Sequence, residues 1–174
     1  MTQFGKIDGS EPAREPLHYT ACGLDDVYLV NGFTREIIDG EEYLTIENLD
    51  GLWKAIALDL VVCHKVLAPK ELRFLREQMD LTQAELAARL RVSDQTVARW
   101  EKGKGDPGPG DIAIRVLYLA SERAQPEGNQ MLKKLTEVVD DLVDADDQMT
   151  PVVFRHRSHR WSRSHQQHVA ALVL

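Results

Sequence analysis

Two short helical patterns joined by a tight turn lie between Leu81 and Gly103. Thr82 and Glu85 have the spacing of a capping box, in which each side chain binds an otherwise unpaired backbone N–H group. The first of the two helices is therefore predicted to begin at Gln83. Ser93 is suited to cap the second helix, and glycine suits the left-handed position that follows a helix. The segment predicts a helix-turn-helix.

Four sequence runs carry a resemblance to a known family: Leu72-Arg-Phe-Leu-Arg76, Leu81-Thr-Gln-Ala-Glu-Leu-Ala87, Val92-Ser-Asp-Gln-Thr-Val97 and Arg99-Trp-Glu-Lys-Gly103. Together they resemble the Cro and phage-repressor type of helix-turn-helix, the xenobiotic-response-element family of regulators. The resemblance covers about residues 67–121. It implies a compact bundle of about five helices, usually dimeric, whose third helix lies in the major groove of DNA.

The same resemblance implies roles for individual side chains. Gln95 and Arg99 would contact DNA bases, with Asp94 beside them. The implied phosphate contacts come from Gln83, at the start of the first helix of the motif, and from Ser93, Thr96, Lys102 and Lys104.

Side-chain chemistry agrees with these roles. Gln can pair two-fold with adenine and Arg with guanine, and residues four apart share one helix face. The alternative is that Gln95 and Arg99 are ordinary exposed helix residues. Lysines near a helix C-terminus also favour the helix dipole. Val97 and Trp100 lie on the opposite, apolar face and are predicted to be core residues.

The turn departs from the family pattern at Arg91. Gly is usual there because φ is positive, and a left-handed Arg costs about 1 kcal/mol. On either side of the motif, helices are predicted from Pro69 to about Met79 and from about Asp111 to Ser121.

The part of the chain before the motif has a different pattern. Residues 1–26 are rich in Pro and Gly and predict an irregular segment. Residues 27–30, 33–38 and 42–46 are β-prone and are separated by Asn31-Gly32 and Asp39-Gly40, which predicts a small antiparallel sheet. A helix capped by Asp50 should then cover one face of the sheet, completing a unit over 27–64.

The run from His18 to Gly32, followed by Asp50-Gly-Leu ahead of a helix, resembles MqsA-type antitoxins with a degenerate zinc-finger domain. In that family the N-terminal domain binds a toxin and often carries zinc through two Cys-x-x-Cys pairs, and the C-terminal domain dimerises and represses its own operon. Here the pairs are absent. The remaining candidates, His18, Cys22, Cys63 and His64, make a poor tetrahedral set because two of them are adjacent, so no metal is expected.

Two segments follow the motif. Residues 125–148 predict an acidic amphipathic helix, which packs on its own domain or forms a dimer contact. Residues 149–174 hold four of the six histidines and no acid after Phe154. This composition predicts a disordered basic tail, with binding of metal or of the DNA backbone as the alternatives.

The net charge of −7 is unevenly distributed. Residues 1–64 carry −8 and residues 65–123 carry +2. Acidic flanks repel phosphate, so non-specific affinity for DNA should be modest. Two cysteines, no apolar run of about 18 residues and no leader pattern predict a reduced, cytoplasmic protein that does not bind membranes.

These observations predict a mainly α (α+β) protein. A small N-terminal antiparallel sheet and helix precede a five-helix Cro/repressor-like domain over 65–124. The expected activity is sequence-specific binding of double-stranded DNA by a homodimer on a palindromic operator, as an antitoxin-like autorepressor. The alternatives are toxin neutralisation through the N-terminal domain, or a ligand-sensing repressor. No catalytic constellation or cofactor motif stands out, so an enzyme is not expected.

Overall fold

The computed structural model describes residues 16–62, 65–121, 124–125, 127 and 151–164. Within them lie five α-helices and six β-strands. The strands are β1 (Leu17–His18), β2 (Val27–Leu29), β3 (Phe33–Ile38), β4 (Glu41–Ile46), β5 (Val152–Arg157) and β6 (Arg160–Arg163). The helices are α1 (Leu49–Val62), α2 (Pro69–Gln78), α3 (Gln83–Leu90), α4 (Asp94–Glu101) and α5 (Pro109–Ala120).

A four-stranded sheet in the order β1-β2-β5-β6 joins the two ends of the described chain. β2 pairs parallel with β5, and the other neighbours are antiparallel. The sequence prediction was wrong here in two respects. The segment 1–26 contains β1, and the tail 149–174, predicted to be disordered, supplies β5 and β6. Phe154, His156 and Trp161 are buried on the inner side of this sheet. The arginines next to them in the sequence hid this alternation of buried and outward-facing residues.

The strands β3 and β4 form a separate two-stranded hairpin. The predicted turn at Asp39-Gly40 is confirmed, since both residues have positive φ, 53° and 85°. The predicted pairing of residues 27–30 with this hairpin in one three-stranded sheet is wrong, because β2 pairs with β1 and β5 instead.

Helix α1 packs against β6 and against α2 and α5, so it connects the sheet to the other helices. Its buried stripe includes Leu52, Ile56 and Val61. The predicted cap at Asp50 is wrong. The cap is Asn48, whose Oδ1 accepts a hydrogen bond of 3.1 Å from the N–H group of Gly51.

The described part of the region 65–124 contains four helices, α2 to α5, instead of the predicted five. Helix α1, from the preceding unit, packs against α2 and α5 and completes the bundle. Pro69 is in the first turn of α2, as predicted. The helices bury Leu72, Leu75, Leu86, Ala87, Ile114 and Tyr118. The core is therefore continuous from the sheet through α1 into the helix-turn-helix.

A buried ion pair stabilises the junction of α1 and α5. Arg115 is fully buried, and its Nε donates to Asp111 Oδ1 at 2.6 Å. The other carboxylate oxygen of Asp111 accepts from the N–H group of Leu67 at 2.6 Å. Arg115 also donates to three backbone carbonyls at the end of α1 and after it, those of Leu60, Val61 and Lys65.

None of the helices in the described part of the chain is both long and apolar enough to cross a membrane. The predicted acidic helix over 125–148 falls outside the described residues except for positions 125 and 127.

Candidate nucleic-acid interface

The turn between α3 and α4 is built from local capping interactions. The N–H group of Glu85 donates to Thr82 Oγ1 at 3.2 Å, and the Glu85 carboxylate accepts from the N–H group of Thr82 at 2.7 Å. The bonds that the carboxylate accepts from the N–H group and the hydroxyl of Thr82 hold the pKa of Glu85 below its usual value. Arg91 ends α3 in the left-handed region, with φ 56° and ψ 40°, so the predicted positive φ is confirmed.

Ser93 caps α4, because its Oγ accepts a bond of 3.1 Å from the N–H group of Thr96. The hydroxyl groups of Ser93 and Thr96 are also 2.8 Å apart. Both side chains are thus part of the helix start and lie beside the first turn of α4. Their hydroxyl groups stay close to solvent, since Ser93 is exposed and Thr96 is half-buried.

The two faces of α4 differ sharply. Val97 and Trp100 are buried in the core, as predicted. Asp94, Gln95 and Arg99 are exposed on the other face. The core therefore fixes which side of α4 is available to a ligand.

The end of α4 positions Arg99 and the loop that follows. Gly103 has φ 66°, and its N–H group donates to the Trp100 carbonyl at 3.0 Å. The N–H group of Lys104 donates to the Arg99 carbonyl at 2.8 Å, which completes a Schellman motif. In return, Arg99 Nη2 donates to the Lys104 carbonyl at 3.2 Å. Lys102 and Lys104 are both exposed beside this helix end.

Gln83 belongs to a hydrogen-bond network that the sequence did not reveal. Its Nε2 donates to Glu101 Oε2 at 2.8 Å. The same carboxylate pairs with Arg76, with 2.6 Å between Nε and Oε1. Arg76 also donates to the Leu81 carbonyl at 2.7 Å. Because 25 residues separate Arg76 from Glu101, no short motif could have predicted this pairing.

The network and the capping box determine which hydrogen-bond donors at the start of α3 are available to an anion. The capping box uses the N–H groups of Thr82 and Glu85, so those of Gln83 and Ala84 remain as first-turn donors without an intrahelical acceptor. Arg76 neutralises Glu101 beside them. The helix dipole adds a partial positive charge at the same point. This end of α3 is chemically suited to a phosphate.

Among the residues that the structure describes, no group of three or more His, Cys, Asp and Glu side chains could hold a metal ion. His18 Nε2 lies 2.6 Å from the Asp25 carbonyl. Cys22 is buried, and its Sγ donates to the Tyr19 carbonyl at 3.4 Å. Burial raises the pKa of this thiol. The other two zinc candidates, Cys63 and His64, are outside the described residues.

The arrangement of α2 to α5 agrees with the comparison with protein families. Residues 72–113 match the helix-turn-helix family. The match runs from α2 to the first turns of α5 and includes every residue of the candidate interface, so it supports the Cro and phage-repressor type of domain in this segment.

The family match does not extend to the part of the chain before Leu72. The N-terminal resemblance to MqsA-type antitoxins is therefore unsupported. Searches of curated proteins and of solved structures found no significant match.

Proposed function

We propose that this protein is a transcription regulator that binds double-stranded DNA through the exposed face of α4. One observation carries the proposal. Gln95 and Arg99 lie four residues apart on the exposed face of α4, whereas Val97 and Trp100 anchor its other face in the core. This arrangement lies inside the segment that matches a family of DNA-binding domains.

Each side chain on this face suits a different base. Arg99 has the paired donors that recognise O6 and N7 of guanine, and Gln95 can both donate to and accept from adenine. Asp94 can accept from the amino group of cytosine. The Lys104 carbonyl occupies only Nη2 of Arg99, which leaves other guanidinium donors for a base.

Phosphate contacts on both sides of α4 would fix its position in the groove. Gln83 and the first N–H groups of α3 would bind one phosphate, since the amide of Gln83 has a second N–H besides the one bound to Glu101. The hydroxyl groups at the start of α4 and the ammonium groups after its end would bind others. These residues are Ser93, Thr96, Lys102 and Lys104.

The proposed regulator acts as a homodimer on a palindrome and represses its own operon. In helix-turn-helix dimers the two recognition helices enter successive major grooves, so half-sites lie about 34 Å, or one helical turn, apart. The acidity of residues 1–64 disfavours non-specific binding to DNA, which makes the base contacts of α4 decisive for site selection.

Selection from a random duplex library tests the proposal. The protein should enrich a palindrome whose half-sites are about 10 base pairs apart, centre to centre. A Gln95→Ala/Arg99→Ala variant, exposed at both positions and therefore expected to fold, should lose the enrichment. Failure of the wild-type protein to enrich any sequence would overturn the proposal.

A further inference from the structure

The hairpin of β3 and β4 is anchored at its base and exposed beyond it. We call residues 33–46 the arm. Phe33 and Ile46 pack against the core, and the carbonyl of Glu47 accepts from Trp161 Nε1 at 2.9 Å. Every residue from 34 to 45 is exposed. A two-stranded hairpin is marginally stable in water, and three or more strands are needed for independent stability.

The outer edge of β4 offers unpaired backbone groups. In an antiparallel pair, residues alternate between bonding to the neighbouring strand and pointing away from it. The N–H group of Glu47 donates to the Gly32 carbonyl at 2.9 Å, which continues the register of β3 and β4. In steps of two from Glu47, positions 45, 43 and 41 also bond to β3. The backbone groups of Glu42 and Leu44 therefore point away from it, and no other strand of the described residues pairs with them.

The side chains along this edge combine acid and apolar groups. Successive residues of a strand point to opposite sides, so Glu41 shares one side with Tyr43, and Glu42 shares the other with Leu44. Tyr43 is 49% exposed and Leu44 is 42% exposed. The Tyr43 hydroxyl donates to Glu41 Oε2 at 3.3 Å. Each side of the edge thus carries a carboxylate near the turn and an apolar group nearer the base.

The charges of the arm determine which kind of partner fits this edge. The arm holds Glu36, Asp39, Glu41 and Glu42 against one base, Arg35. Arg35 Nε lies 3.5 Å from Glu42 Oε1, whereas no ion pair among the described residues involves Glu41. Acidic groups repel DNA phosphates, anionic lipids and the arm of a second copy. Opposite charges on directly opposed residues stabilise a strand pair, so the occupant that fits is a basic strand.

We propose that β4 binds an extended basic segment of a partner protein, which adds to the arm as a third strand. The backbone of the segment bonds to that of Glu42 and Leu44, and its side chains provide the specificity. In the antiparallel direction, which is the more stable one, two apolar residues lie opposite Leu44 and Tyr43. Two basic residues follow, opposite Glu42 and Glu41. The inference adds a partner to the proposed function and does not depend on what α4 binds.

A cyclised β-hairpin peptide is the probe, because cyclisation preorganises its strands. One strand reads Thr-Val-Val-Lys-Lys, so that its lysines can oppose the two glutamates. Hydrogen exchange at the amides of Glu42 and Leu44 should slow in the complex. Glu41→Lys/Glu42→Lys should bind the peptide at least about 10-fold more weakly and should bind a peptide with Glu-Glu in place of Lys-Lys.

Three further variants separate strand addition from general charge attraction. Leu44→Pro removes an N–H group that points away from β3, so the hairpin keeps its own bonds, and binding should weaken by about 10-fold or more. Leu44→Ala keeps that N–H group and should weaken binding less. Glu36→Lys changes the charge on β3, one strand further from the peptide, and should alter the affinity by less than about 3-fold. Circular dichroism and melting temperature verify that all variants are folded.

Several outcomes would overturn the inference. The wild type may not bind the basic peptide at all, or Glu36→Lys may lose as much affinity as the double variant, which indicates general charge attraction. Full binding by Leu44→Pro would place the peptide on a face of the arm instead of its edge. A wild-type dimer that Leu44→Pro converts to a monomer would assign the edge to a second copy.

The proposed function can fail separately. If the peptide binds as described while the wild type enriches no DNA sequence, the edge of β4 stands as a partner site and the regulator is rejected. If enrichment succeeds and the peptide does not bind, the regulator stands and the partner site is rejected.

Discussion

At the scale of single residues, the turn between α3 and α4 depends on Arg91 in a left-handed conformation. The side chain is exposed there, so removing it costs little packing. We expect Arg91→Gly to raise the free energy of unfolding by about 1 kcal/mol, because Gly adopts positive φ without steric cost. Thermal denaturation should show a melting temperature roughly 2–4 °C higher. An unchanged or lower melting temperature would show that the backbone at Arg91 is not strained.

Gly110 is a second position where the addition of one carbon atom should change the stability of the protein. A Cβ there would lie 2.9 Å from Cη2 of the buried Trp100 ring. Replacing Gly by Ala within a helix normally stabilises it, but here overpacking should dominate and lower stability by about 1–3 kcal/mol. Gly105→Ala is the control, because its Cβ would meet the same ring at an ordinary 3.6 Å. Urea denaturation of both variants checks the difference, and equal effects would contradict it.

At the scale of the helix, the start of α3 links stability to pH. Hydrogen bonds from the Thr82 N–H group and hydroxyl lower the pKa of Glu85 in the folded protein. The stabilisation is therefore present above the unfolded pKa of about 4.3 and is lost as the pH falls through the lower, folded pKa. We expect Glu85→Gln to be less stable than the wild type at pH 7, with a smaller difference between the two at pH 3. Urea denaturation at both pH values measures this, and a difference that does not change with pH would rule out the carboxylate as its source.

The elements that the sequence predicted correctly are those with local signals. The capping box at Thr82, the cap at Ser93 and the left-handed Gly103 each involve residues within a few positions of one another. Side-chain periodicity likewise predicted the buried face of α4.

The elements that the sequence did not predict depend on distant partners. β2 pairs with a strand 125 residues further along, and a parallel pair has no turn signal to reveal it. In the candidate interface, the exposed positions of α4 followed from its period. The hydrogen bond from Gln83 to Glu101 could not be predicted from the sequence, because it depends on the folded path of the chain.

At the scale of the whole molecule, the Asp111–Arg115 pair ties α5 to the end of α1 and to the segment that leads into α2. Asp111→Ala should destabilise the protein by about 3–5 kcal/mol, because it removes the carboxylate that pairs with the buried Arg115 guanidinium. Glu77→Ala, which breaks an exposed pair with Arg73, should cost less than about 1 kcal/mol. Urea denaturation measures the free energy of unfolding of both variants. Similar small decreases in this free energy would show that the junction does not depend on the buried pair.

The central claim is that the exposed face of α4 distinguishes bases. It is tested most directly by titrating the wild type, Arg99→Ala and Lys102→Ala against the enriched duplex and its single base-pair variants. Arg99→Ala should lose about 1–3 kcal/mol of discrimination at one base pair, whereas Lys102→Ala should weaken binding to all sequences alike. Equal losses on every duplex for both variants would contradict the claim.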